Sequence, residues 1–180
     1  MKIDVSKLEK FIETARSLVG RDECSPYSLE DIYLLAYKFE IDGIIYLEKF
    51  EDKRHVNVLL DLDKKSITLY DPLLGIKKKS YNKIQLGMYC KPVGSFKDEF
   101  QTYAQQLKLN EPGEIWDQYE QRGKLLLKFL KQHSKFRSIY AKGSSGMADL
   151  PALQNNPGSS DCAPISLFIM LMFNLAYSKS

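Results

Sequence analysis

Cysteine and histidine are scarce in this 180-residue sequence, with three of the first (Cys24, Cys90, Cys162) and two of the second (His55, His133). So few cysteines, in odd number, argue against a disulfide scaffold. With no CxxC pair and only two histidines, the ligands of a structural zinc site are missing. Long hydrophobic runs are absent too. The longest, Ile165 to Tyr177, has 13 positions and is interrupted by Ser166 and Asn174. A bilayer span needs roughly 20, so this run reads as a buried core helix and no membrane span is expected. An excess of one charge is also missing: 26 basic against 23 acidic residues leave a net +3. That is too little to argue for nucleic acid as a partner, and Lys77-Lys78-Lys79 reads as a solvated loop. Met1 to Lys7 has no apolar stretch of the secretory kind, so a cytoplasmic location is expected, or a host cytosol if the chain is a bacterial effector or viral protein. Ten glycines and no sustained heptad exclude collagen-like and coiled-coil chains. What is present is a core: 44% hydrophobic residues, with nine Phe, eleven Tyr and one Trp, enough for one domain over residues 1–180.

Apolar spacing predicts a helix from Ser6 to Val19, stopped by Gly20. Ser28-Leu29-Glu30-Asp31 resembles a capping start, and Ile32, Leu35, Ala36 and Phe39 continue one face. Ile44 to Leu47, His55 to Asp61 and Ser66 to Tyr70 read as strands, the last two joined by a turn at Asp63-Lys64-Lys65. Asp71-Pro72 ends the third, since proline cannot continue a ladder. Residues 96–136 read as helical in two pieces broken at Glu111-Pro112-Gly113. The first carries Phe100, Tyr103, Ala104 and Leu107; the second carries Trp116, Tyr119, Gly123, Leu126, Leu127 and Leu130. Residues 142–161 are loop-like, and a last helix starts near Cys162 with Pro164 in its first turn.

A hairpin centred on Asp63 sets His55 directly opposite Asp71, where facing Cβ atoms lie roughly 4.5–5.5 Å apart. That is close enough for a carboxylate to bond an imidazole N–H. Cys162, at the start of the last helix, stands where unpaired N–H groups and the helix dipole favour a thiolate. A nucleophilic thiol needs a base in reach, and the base needs an orienting acid. The order His55, Asp71, Cys162 supplies the three. Cys24, before Ser25-Pro26, lacks acid–base neighbours, and Cys90, before Lys91-Pro92, lacks a helix start. His133 fits a helix C-terminus, where a cation is favourable.

His55-x-x-x-Leu59-Leu60-Asp61 followed by Ile67-x-Leu69-Tyr70-Asp71-Pro72-Leu73 resembles the His-Trp to Tyr-Asp-Ser-Leu stretch of clan CE cysteine peptidases. These are the Ulp/SENP-type ubiquitin-like-protein proteases and their adenovirus-type relatives. Gln154 to Cys162 resembles their Gln-to-Ser-Asp-Cys-Gly segment, and Ser28 to Ile32 faintly resembles the start of their early helix. The resemblance covers roughly residues 28–73 and 152–177. It implies an α+β, papain-like fold of the Ulp type, a small central sheet packed by helices, with a helical insertion at about 96–136. It implies a Cys162–His55–Asp71 triad and Gln154 as oxyanion donor, with Asn156 as the rival donor because it stands six residues before the cysteine. Val56 replaces the Trp that commonly follows the histidine, and Ala163 replaces the Gly after the cysteine. The expected activity is hydrolysis of a peptide or isopeptide bond after a ubiquitin or ubiquitin-like C-terminus, with that conjugate as partner and no metal or cofactor. Rival readings are a viral-type maturation protease, a YopJ-type acetyltransferase and a binding module without turnover.

Overall fold

In the computed structural model, residues 2–22, 25–46, 54–61, 66–107, 118–133, 150–156 and 158–177 are described. The first helix, α1 (Val5–Val19), begins where the Asp4 carboxylate accepts from the N–H groups of Ser6 and Lys7, and ends at Gly20 in the left-handed region. Leu8, Phe11 and Ala15 form its buried stripe. Helix α2 (Leu29–Lys38) starts with a complete capping box, Ser28 and Asp31 each bonding the other's backbone N–H. Both starts agree with the sequence reading.

Five strands follow as one antiparallel sheet: β1 (Gly43–Tyr46), β2 (Val56–Asp61), β3 (Ser66–Asp71), β4 (Gly75–Ser80) and β5 (Lys91–Val93), in the order β4-β3-β2-β1-β5. The hairpin of β2 and β3 is present, but its register differs from the expected one. Asn57 pairs with Tyr70, Val58 with Leu69 and Leu60 with Ile67. The ladder is therefore centred between residues 63 and 64, one step away from a centre on Asp63, and continued outward it brings Val56 rather than His55 opposite Asp71. Asp63 itself lies outside the described residues. The physical reason is the side-chain period of two. The observed register matches apolar to apolar on one face, whereas a centre on Asp63 would pair Val58 with Thr68 and Leu60 with Ser66. Where a face is buried, that matching sets the register.

Two short strands and one helix were not expected. Lys77-Lys78-Lys79, read above as a solvated loop, is the middle of β4, an edge strand with Lys77 exposed; lysine on an edge discourages pairing with another chain. Pro92 is tolerated in β5 because that strand is the other edge. Helix α3 (Lys83–Tyr89) opens with an Asn82–Gln85 capping box.

The helical stretch expected at 96–136 contains α4 (Ser95–Gln106) and α5 (Tyr119–Gln132) among its described residues. These are core elements, since Phe96, Phe100, Leu126, Phe129 and Leu130 are fully buried. The buried face of α5 also includes Arg122, whose Nε donates to the Gly87 carbonyl. Tyr119, expected inside, is 45% exposed, and Trp116 lies outside the described residues. Helices α3 and α5 cross at Gly87 and Gly123. A Cβ on either glycine would overlap a backbone carbonyl of the other helix, that of Tyr119 or of Lys83.

The last helix, α6 (Cys162–Tyr177), is buried on nearly every side from Cys162 to Met170, as an almost wholly apolar helix must be. It lies against β1, β2 and β3 and also against α1, where Phe11 meets Phe168 edge to face. Among the described residues no helix is long and apolar enough to cross a membrane.

Candidate active site

The chain enters α6 through a turn in which Ser160 takes a left-handed backbone (φ 57), uncommon for a residue other than glycine. Asp161 follows; its carbonyl accepts the first helical bond, from Ile165 N–H. Its carboxylate accepts from Nη2 of Arg16 at 2.5 Å, which ties α1 to the turn. Cys162 is then the first helical residue. Its Sγ lies 3.6 Å from Nδ1 of His55, which immediately precedes β2. Two of the three expected catalytic residues are thus brought into hydrogen-bond reach.

Both are covered. Burial pushes the Cys162 thiol up, opposed by the backbone amides of His55, Ala163 and Cys162 itself, with the Asp71 charge adding to the rise. Burial alone brings the His55 imidazole down to about 4. Burial thus opposes charge on both side chains, against the helix start that favours a thiolate at Cys162.

The third expected residue is placed differently. Asp71 Oδ1 accepts from Leu73 N–H at 2.9 Å and Leu74 N–H at 3.4 Å, and its Oδ2 lies 3.4 Å from Nη2 of Arg54. No hydrogen bond joins it to His55 among the described residues. The register explains this: with Val56 rather than His55 opposite Asp71, the carboxylate turns to the neighbouring arginine and to the tight turn that starts β4.

Gln154 belongs to the segment 150–156, which is fastened to the end of β3. The Tyr70 hydroxyl donates to the Pro151 carbonyl at 2.6 Å and accepts from Leu153 N–H at 3.3 Å. Gln154 N–H donates to the Pro72 carbonyl at 2.8 Å. The Gln154 side chain is buried, its Nε2 donating to the Asn156 carbonyl and its Oε1 unpartnered. Asn156, the rival donor, is exposed, and its Oδ1 accepts from Gly158 N–H. A cleft of about 310 Å³ runs beside this segment, with Gln154, Asn156 and Asp161 on one wall and Leu8 and Ile12 of α1 on the other.

No family model, curated protein or solved structure matches this chain.

Two polar residues beside the pair went unrecognised in the sequence. The Ser166 hydroxyl donates to the His55 carbonyl at 3.0 Å, and Asn57 Nδ2 donates to the Ser166 carbonyl at 2.8 Å, with Asn57 and Ser166 fully enclosed. Their one visible trace was Ser166 itself, a hydroxyl interrupting an otherwise apolar run. Of the other thiols, Cys90 does not compete. It is wholly buried, which raises its pKa, and Cys24 lies outside the described residues. His133 caps the end of α5, Nδ1 bonded to the Phe129 carbonyl and ring stacked on Phe129.

Proposed function

We propose that this chain is a cysteine peptidase in which Cys162 is the nucleophile and His55 the base. The observation that carries the reading is the 3.6 Å approach of Sγ to Nδ1 at the first residue of a helix. As a substrate carbonyl arrives, the thiol proton passes to Nδ1 and sulfur bonds to the carbonyl carbon. The oxyanion is held by the Cys162 N–H and by the Gln154 amide, which exchanges its bond to Asn156 for one to the substrate. The imidazolium returns the proton to the departing amine. Water, activated by the same imidazole, then releases the acyl group as a carboxylate. Asp71 acts in this scheme by anchoring Arg54 and the β3–β4 turn rather than by orienting the ring.

The resemblance to clan CE enzymes supports a ubiquitin or ubiquitin-like C-terminus as the acyl group, and the papain-like arrangement of that clan as the fold. Compatible with that arrangement are the antiparallel sheet and the buried helix that starts at the cysteine. The test is hydrolysis of fluorogenic ubiquitin and ubiquitin-like conjugates, run beside short peptides and beside acetyl-CoA with inositol phosphate. Cleavage of a ubiquitin-like conjugate, lost in Cys162→Ala, is the expected result. Cleavage of short peptides alone, or acetyl transfer, overturns the substrate assignment.

A further inference from the structure

Cys162 and Ser166 are one helical turn apart, four residues at 1.5 Å of rise, or about 6 Å. His55 and Asn57 are two residues apart on a nearly extended chain, or about 6.6 Å at a strand's rise. The two spacings match. Helix and strand therefore meet in two rungs: Cys162 Sγ to His55 Nδ1 on one, and the Ser166 and Asn57 bonds beside it. The second rung is buried, and each of its bonds joins a side-chain donor on one element to a backbone carbonyl of the other. A helix facing a sheet only through Leu, Ile and Phe can slide by fractions of an ångström at little cost, because apolar contact has no direction. Hydrogen bonds do have direction and weaken steeply with distance and angle.

We propose that Ser166 and Asn57 are positioning residues that set the Cys162–His55 distance by locking α6 to the strand that carries the base. Ser166 grips the carbonyl of the base residue itself. Asn57 grips the carbonyl of Ser166, so neither chain shifts along the other without breaking a buried bond. The residue pattern His-x-Asn with Cys-x-x-x-Ser is the sequence form of this lock. Its consequence for turnover rests on the cysteine-peptidase reading; its consequence for thiol reactivity does not.

The experiment is a double-mutant cycle on the rate of Cys162 alkylation by iodoacetamide at neutral pH, with the modified residue identified by peptide mass. The chains compared are the wild type, Ser166→Ala, His55→Gln and the double variant, each checked for folding by thermal unfolding. A positioned general base is worth about 100-fold or more, and a misplaced one loses part of that. Ser166→Ala is expected to slow alkylation about 10-fold when His55 is present and to change it less than twofold in the His55→Gln background. Ser166→Thr, which keeps the hydroxyl, is expected to restore the rate. If Ser166→Ala fails to fold, Asn57→Leu removes the same lock from the other side and is read in the same cycle. Equal slowing in both backgrounds, or none in either, overturns the proposal. With a cleavable conjugate, kcat should fall while KM stays. Should neither a conjugate nor a short peptide be cleaved, the peptidase reading fails while the alkylation cycle still decides the lock.

Discussion

Asp71 Oδ2 lies 3.4 Å from Arg54 Nη2, and the same carboxylate caps the turn through the N–H groups of Leu73 and Leu74. In a triad whose acid orients the imidazole, replacing that acid by its amide costs about 10⁴-fold in kcat. Here Asp71→Asn keeps an oxygen for the turn amides and removes only the charge facing Arg54. Conjugate hydrolysis is expected to fall less than about 10-fold, far less than in His55→Gln. A loss comparable to His55→Gln would show that Asp71 reaches the imidazole during catalysis.

Buried His55 makes stability depend on pH. Its imidazole takes up a proton near the ordinary 6.5 in the unfolded chain and only at about 4 in the folded one. Between those values the unfolded chain binds the extra proton. Stability is therefore complete above about pH 6.5 and declines as pH falls through the window to about 4. At about 1.4 kcal/mol per pKa unit, the loss from this group is about 3 kcal/mol. Urea unfolding at pH 7 and pH 4 measures it. His55→Gln should lose less stability over that interval, and an unchanged slope in that variant would place the acid sensitivity elsewhere.

The oxyanion donor is testable by truncation. Gln154 is enclosed and tied to the end of β3, while the Asn156 side chain is exposed and its Oδ1 accepts from Gly158 N–H. Gln154→Ala is expected to lower the rate about 100- to 1,000-fold, with Asn156→Ala changing it little. The reverse order of effects would assign the donor to Asn156.

A further prediction concerns the fold away from the site. The Cβ of Gly87→Ala would sit 1.7 Å from the Tyr119 carbonyl oxygen, and that of Gly123→Ala 1.9 Å from the Lys83 carbonyl oxygen. Backbone on both sides must yield. Each change is expected to cost about 3 kcal/mol, at the upper end for overpacked cores, and to separate α3 from α5. Unaltered thermal stability in either variant would contradict this crossing.

Local chemistry was the legible part of the sequence. Ser28 with Asp31, Gly20, and the apolar spacing of Leu8, Phe11 and Ala15 each act within a few residues, so they can be read without a partner. The meeting of Cys162 with His55 was expected from the order of His55, Asp71 and Cys162 and from the resemblance, not from any local signal joining the two. What escaped depends on distant partners. The hairpin register follows from Val58 meeting Leu69 and Leu60 meeting Ile67, a matching across the sheet that overrides a guess from turn residues. The lysine-rich strand and short β5 show too little alternation to stand out. Nothing local marks Arg122 as buried; that follows from α3, whose Gly87 carbonyl accepts from its Nε. Asp71 was assigned to His55 on a register one step from the true one, so its real neighbour, Arg54, went unseen.

The central claim is that Cys162, activated by His55, attacks the carbonyl at the end of a ubiquitin-like tail. Its most direct test is labelling by a panel of ubiquitin and ubiquitin-like proteins that carry a C-terminal electrophile, read by intact mass and peptide mapping. The account predicts a one-to-one adduct on Cys162 with at least one of these proteins, absent in Cys162→Ala and strongly slowed in His55→Gln. An adduct on Cys24 or Cys90, or no adduct from a folded chain with any of the probes, would contradict it.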